Sequence, residues 1–95
     1  MTGMLDPSTI VRKSADQVSC ILDGEVAVLN LDRALYFGLE GVAALIWDTL
    51  QEPRSVAGIC DGVMAQFDVA GDVCRADVSR FILSLRDAGL VEVVE

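Results

Sequence analysis

The chain has 95 residues, with 7 basic and 15 acidic side chains and no histidine, which gives a formal charge of −8 at pH 7. This length fits one domain, and a content of 53% hydrophobic and 23% charged residues is typical of a globular protein. No apolar run approaches the ~18 residues that a membrane span needs. The first 15 residues lack the apolar segment of a signal peptide. We therefore expect a cytoplasmic protein without a membrane partner.

The composition also excludes several kinds of chemistry. Without histidine, the chain has no imidazole base, no imidazole metal ligand and no histidine-activated nucleophile. Cys20, Cys60 and Cys74 are widely spaced, so we expect reduced thiols that serve as small apolar residues. The acidic excess disfavours nucleic acid as a partner, because phosphate binding depends on lysine and arginine. We predict that the protein is not an enzyme and has no metal site and no cofactor.

The first part of the chain shows no regular pattern. Residues 1–16 mix proline, serine, threonine and charged side chains without periodicity, which predicts a loosely ordered N-terminal arm. Regular patterns begin at about residue 17 and continue to the end of the sequence, without repeats or low-complexity segments. We therefore expect a single domain over residues 17–95.

Three runs with β-strand character open this domain. Asp23 and Gly24 lie between the first two, residues 18–22 and 25–29, and supply the positive φ angles of a type I′ hairpin turn. Turn-forming residues separate the second run from the third, residues 34–39, in which both faces carry apolar or aromatic groups. The sequence therefore predicts an N-terminal three-stranded antiparallel sheet.

After the third strand the apolar period changes from two residues to 3.6, which predicts three helices. The first ends before Pro53, Ser55 is the expected N-cap of the second, and Asp72 is that of the third. Gly89 is placed to close the third helix in the left-handed conformation, and residues 91–94 predict a last short strand. The expected fold is α+β and resembles a winged helix-turn-helix, with the sheet followed by a three-helix bundle.

A winged helix-turn-helix places its third helix in a DNA groove, and this gives one alternative function. The third predicted helix carries three arginines and also three aspartates, so it is nearly neutral within an acidic domain. Alternating charges of this kind are typical of a solvated helix face. A DNA-binding regulator predicts an affinity for duplex DNA that falls steeply with salt, and the charge balance disfavours it.

The third predicted strand has the features of a binding edge. Natural sheets protect an edge strand with lysine, proline or a bulge, but residues 34–39 contain no charge and no proline. Two explanations remain open: another segment or a second copy of the chain covers this strand, or the strand receives an extended peptide. On the third helix, Asp77 and Arg80 lie beside the core stripe, where they are placed to contact charged side chains of such a peptide.

Two stretches of the chain have an order and spacing of apolar residues that is hard to obtain by chance. The first is the run Leu29-Asn30-Leu31-Asp32-Arg33-Ala34-Leu35-Tyr36-Phe37-Gly38-Leu39, followed by Ala43, Ile46, Trp47 and Leu50. The second contains Asp77, Val78, Phe81, Ile82 and Leu85 and the run Ala88-Gly89-Leu90-Val91. Over about residues 18–94, the chain resembles the PqqD-like family, the RiPP recognition elements. These small domains bind the leader segment of ribosomally made precursor peptides.

Within that family, the chain is most similar to the free-standing elements of lasso-peptide pathways. Residues 35–39 and the pair Ile46-Trp47 carry this similarity. The chain is less similar to coenzyme PQQ synthesis protein D, in which an Asp-Gly pair usually follows the first helix. Residues 51–53 of this chain are Gln-Glu-Pro instead.

The resemblance implies a non-catalytic adaptor that binds a leader by strand addition and presents the precursor, in particular that of a lasso peptide, to a leader peptidase and a cyclase. By position it carries over ten peptide-binding residues on the third strand and third helix: Arg33, Ala34, Leu35, Tyr36, Phe37, Val73, Asp77, Arg80, Phe81 and Ser84. Phe81 fits a core position equally well, and Trp47 is expected in the core. The alternatives are a chaperone of a PQQ-type or other RiPP pathway, the DNA-binding regulator, and a self-associating structural subunit. We expect a monomer or a weak homodimer.

Overall fold

The computed structural model describes residues 5–23 and 25–94, which form two three-stranded antiparallel sheets and three helices. The strands are β1 (Ile10–Lys13), β2 (Gln17–Leu22), β3 (Glu25–Asn30), β4 (Leu35–Leu39), β5 (Arg54–Ser55) and β6 (Val91–Val94). The helices are α1 (Val42–Thr49), α2 (Val56–Gln66) and α3 (Gly71–Asp87). The predicted α+β class, with a three-stranded sheet followed by three helices, is confirmed.

The predicted sheet has the strand order β2-β3-β4. Its register pairs Val28 with Phe37, and pairs Leu29 with Tyr36. Val28 is fully buried while Leu29 is exposed, so one face of the sheet covers the core and the other faces solvent. Asp23 has a φ of 51°, as the predicted hairpin turn requires, whereas Gly24 lies outside the described residues.

The second sheet, with the order β5-β1-β6, contains a strand from the segment that we predicted to be loosely ordered. That prediction is wrong for residues 5–13, and residues 1–4 lie outside the described part of the chain. β1 pairs with β6 along its whole length, and its Val11 is fully buried. The N–H of Leu5 donates to Oγ of Ser79, 3.0 Å away, in the buried interior. This segment is therefore held by partners more than 70 residues away in sequence.

The end of the first helix and the start of the second agree with the sequence analysis. α1 ends at Thr49, ahead of Pro53. α2 begins after Ser55, whose Oγ accepts a hydrogen bond from the N–H of Gly58 at 3.0 Å. This confirms the predicted N-cap, which satisfies one of the unpaired N–H groups at the start of the helix.

The start of α3 differs from the prediction and its end agrees with it. Asp72 is not the N-cap: the helix begins at Gly71, with Ala70 in the cap position, two residues earlier than predicted. The Asp72 carboxylate instead lies in the first turn, where its negative charge interacts favourably with the positive end of the helix dipole. Gly89 has a φ of 78° and follows α3 in a Schellman motif, in which the N–H of Leu90 donates to the carbonyl of Leu85.

The core lies between the helices and the inner faces of both sheets. Trp47 is 2% exposed, which confirms the prediction that it belongs to this core. All three thiols are free, with Cys60 and Cys74 buried and Cys20 exposed. Burial raises the pKa of Cys60 to about 11, and the neighbouring Cys74 adds to the shift. Among the described residues, no helix is both long enough and apolar enough to cross a membrane.

Candidate functional site

β4 is one of the two edge strands of its sheet, and no other strand in the described part of the chain pairs with its free edge. Its side chains alternate between two faces. Phe37 points to the inner face and is half-buried against the core, whereas Tyr36 lies on the outer face and is 65% exposed. Leu35 is 42% exposed. The edge therefore offers unpaired backbone groups together with apolar and aromatic contact area.

The first residues of β4 lie near the last residues of α3. Nη1 of Arg33, just before β4, donates to the carbonyl of Asp87 at 2.6 Å. Nδ2 of Asn30, at the end of β3, donates to the carbonyls of Ala88 and Gly89 at 2.9 and 3.1 Å. We call these hydrogen bonds, formed by Asn30 and Arg33 with residues 87–89, the turn clamp.

The other end of β4 leads to a cavity beside the first half of α3. This cavity has a volume of about 320 Å³, and its walls come from α1, the end of α2, the α2–α3 connection and α3. Val42, Phe67, Val69 and Phe81 are among the apolar side chains that line it, and Asp77 is the charged one. The turn clamp joins the residues before β4 to the end of α3, and the cavity lies between α3 and α1, the helix that follows β4. We call the space between β4 and α3 the groove. The turn clamp lies at one end of the groove and the apolar cavity at the other.

Two of the predicted site residues, Arg33 and Ala34, do not lie on the strand. Both belong to the turn that precedes Leu35, and Ala34 has a φ of 56°, which β-strand residues do not adopt. The cause is local: Oδ1 of Asn30 accepts a hydrogen bond from the N–H of Arg33 at 2.8 Å, which closes the turn around the residues between them. The predicted strand therefore begins one residue too early.

On α3, four of the predicted residues lie on one exposed face. Val73, Asp77, Arg80 and Ser84 are all exposed and recur at helical spacing, while Phe81 is half-buried beside them. Nη1 of Arg80 and Oδ1 of Asp77 form an exposed ion pair at 3.0 Å. Such a pair contributes about 0–1 kcal/mol to stability, so both groups are available to a ligand at small cost.

Some residues around the groove were missed by the sequence analysis. Phe67, which follows the last residue of α2, is 39% exposed and lines the cavity. Val42, Ala43 and Val69 line it too, and as single apolar residues near helix ends they gave no signal of this role. Asn30 appeared as a turn-forming residue, but it is 2% exposed and bonds to α3. In the described part of the chain, no cluster of three potential metal-ligating side chains occurs.

Comparisons with known proteins give a matching family and similar solved structures. The family model of coenzyme PQQ synthesis protein D (PqqD) matches residues 25–91, which contain both walls of the groove. A solved structure described as TbiB1 in complex with the TbiA(beta) leader peptide is 32% identical, with a TM-score of 0.81, over 85% of this chain and 94% of that chain. Another, lasso peptide synthetase B1 complexed with the leader peptide, is 21% identical, with a TM-score of 0.77, over 86% and 96%. No curated protein gives a significant match.

Proposed function

Since this chain belongs to the PqqD family, we propose that it is an adaptor that binds the leader segment of a ribosomally synthesised precursor peptide in the groove. TbiB1, which is 32% identical to this chain, was solved with a leader peptide bound. The observation in this chain that carries the proposal is the unpaired edge of β4. Because the turn clamp holds the residue before this edge to the end of α3, we place the extended peptide between the edge and the exposed face of α3.

The proposed binding mode is strand addition. The leader pairs with the backbone of β4, and these hydrogen bonds are available to any extended sequence. Because side chains alternate along a strand, every second leader residue faces α3 and the others lie on the outer face beside Tyr36. The cavity that Phe81 lines is suited to an apolar leader side chain, and Asp77 and Arg80 are placed to select charged leader side chains.

The proposed outcome of binding is positioning without catalysis. A tethered precursor is present at a modifying enzyme at a high effective concentration, on the order of millimolar for a short flexible linker. For a lasso product, the enzymes served are a leader peptidase and an ATP-dependent cyclase. The adaptor would act in the cytoplasm, where the precursor is made. A chaperone role in a PQQ-type or other RiPP pathway differs in the precursor delivered and uses the same groove.

Fluorescence anisotropy tests this proposal. The probe is the fluorescein-labelled leader of the short precursor encoded beside this protein, with the TbiA(beta) leader as a second probe. We expect saturable binding that Tyr36→Ala and Arg80→Glu both weaken. Val18→Ala changes an exposed residue on the opposite edge strand, β2, and Arg86→Glu changes an arginine of α3 away from the face of Arg80, so neither should alter affinity.

The same experiment distinguishes the alternatives. If no leader binds and sedimentation shows a concentration-dependent dimer, the edge of β4 pairs with a second copy of the chain and the adaptor proposal is wrong. If duplex DNA binds with an affinity that falls steeply with salt, the chain is a regulator instead. Equal binding by all four variants would place the leader outside the groove.

A further inference from the structure

The turn clamp joins the two walls of the groove directly. The main packing partner of β4 is β3, whereas α3 packs on α2 and β6, so the two walls belong to different parts of the fold. The clamp connects them through Arg33 to the carbonyl of Asp87 and through Asn30 to the carbonyls of residues 88 and 89. These carbonyls stand at the end of α3, where the helix itself supplies no donors.

Of the two clamp residues, Asn30 is poorly placed to contact a peptide, and Arg33 bonds to the end of α3 from an exposed position. Asn30 is 2% exposed, and both of its polar atoms already have partners within the protein. The guanidinium of Arg33 is bonded to α3 and packs beside Gly89, where an added Cβ would lie 3.4 Å from Nε of Arg33. A cation at this position also interacts favourably with the negative end of the helix dipole of α3. The family resemblance placed Arg33 among the peptide contacts, and in this structure the exposed guanidinium donates to the end of α3.

We propose that Asn30 and Arg33 are positioning residues for leader binding, because they set the distance between β4 and α3. This inference rests on the proposed leader-binding function. A strand added to β4 must lie about 4.8 Å from it, so the place of its backbone is fixed by the hydrogen bonds. The leader side chains must then reach α3 from that place. Because hydrogen bonds weaken steeply as distance and angle depart from ideal, a shift of α3 makes the two sets of contacts incompatible.

The test uses Arg33→Met, which keeps most of the length of the side chain and removes its donors, and Arg33→Lys, which keeps the charge but has one amino group. Arg86→Met is the matched control, since it removes an equal charge from the last turn of α3, where the guanidinium pairs with the carboxylate of Asp87 and forms none of the clamp hydrogen bonds. We expect Arg33→Met to weaken binding of the labelled leader roughly tenfold, the effect of one charged hydrogen bond. Arg33→Lys restores part of this loss, and Arg86→Met has no effect.

Two further readouts distinguish positioning from other roles. A direct contact between Arg33 and an acidic leader residue would be screened by salt, so its removal would reduce the salt dependence of affinity. A positioning residue leaves that dependence unchanged. In the free protein, hydrogen exchange at the amides of β4 should become faster in Arg33→Met but not in Arg86→Met. Asn30→Asp is nearly isosteric and removes the two hydrogen bonds that Nδ2 donates, so it should also make hydrogen exchange at the amides of β4 faster.

Each outcome supports or overturns the inference. Weaker binding by folded Arg33→Met, with an unchanged salt dependence, supports positioning. An unchanged affinity with a lower melting temperature would make the clamp a purely structural feature. A reduced salt dependence would make Arg33 a peptide contact. If the wild-type chain binds no leader, the proposed function fails and the positioning role with it, whereas binding that is insensitive to all clamp variants rejects the positioning role alone.

Discussion

Replacing Gly89 by alanine tests how tightly the end of α3 is held against the turn between β3 and β4. Gly89 has a φ of 78°, a left-handed conformation that costs an alanine about 1–2 kcal/mol. The added Cβ would also lie 2.5 Å from Nδ2 of Asn30, too close for any real contact. Asn30 would have to move, and the loss of its bonds to two carbonyls in a buried site costs a further ~1–3 kcal/mol.

We therefore expect Gly89→Ala to lower the free energy of unfolding by about 2–5 kcal/mol, a large fraction of the stability of a small domain. Urea titration followed by the fluorescence of Trp47, the single tryptophan, measures this change. Gly71→Ala, in α3 with only an ordinary contact to Met64, should be neutral or stabilising. If Gly89→Ala lowers the free energy of unfolding by no more than the ~1–2 kcal/mol of the left-handed conformation, the close approach of Asn30 to the helix end is refuted.

Three further predictions concern the cap, a thiol and the cavity. Ser55→Ala removes the N-cap bond of α2 and should lower stability by about 1 kcal/mol in the same titration, while an unchanged midpoint would contradict the cap. Because the pKa of Cys60 is raised to about 11 from an ordinary value of 9.0, the unfolded chain releases this proton first. Stability should therefore fall as pH rises from 9 towards 11 in wild type and less so in Cys60→Ala, and equal slopes would refute the shift. Ala43→Met extends a side chain that lines the cavity, so leader affinity should fall with little change in melting temperature, and unchanged affinity would exclude the cavity from the site.

The local parts of the fold were predictable because their signals lie within a few residues of one another. The hairpin strands, the cap at Ser55 and the left-handed Gly89 all follow from such short patterns. β1 and β5 have four and two residues, and β1 pairs with β6 at the other end of the chain. Strands this short have no measurable period, and tertiary contacts decide their pairing. For this reason the segment that contains β1 was predicted to be a loosely ordered arm.

The walls of the groove were more predictable than its ends. The exposed face of α3 followed from helical spacing, because residues three and four apart share a face. The placement of Ala34 on the strand was wrong because alanine rarely adopts a positive φ, so its identity did not indicate a turn. The hydrogen bond from the N–H of Arg33 to Oδ1 of Asn30, which closes that turn, is visible only in the structure. The cavity was missed because its walls come from three helices and a connection, which only the folded chain brings together.

The central claim is that a leader peptide pairs with the edge of β4. Hydrogen–deuterium exchange of the full chain, with and without saturating leader, tests it directly, because the sheet has a second edge, β2, that serves as an internal control. We expect the leader to slow amide exchange within Leu35–Leu39 and to leave Gln17–Leu22 unchanged. Protection of β2, or saturable leader binding without protection at β4, would contradict strand addition in the groove.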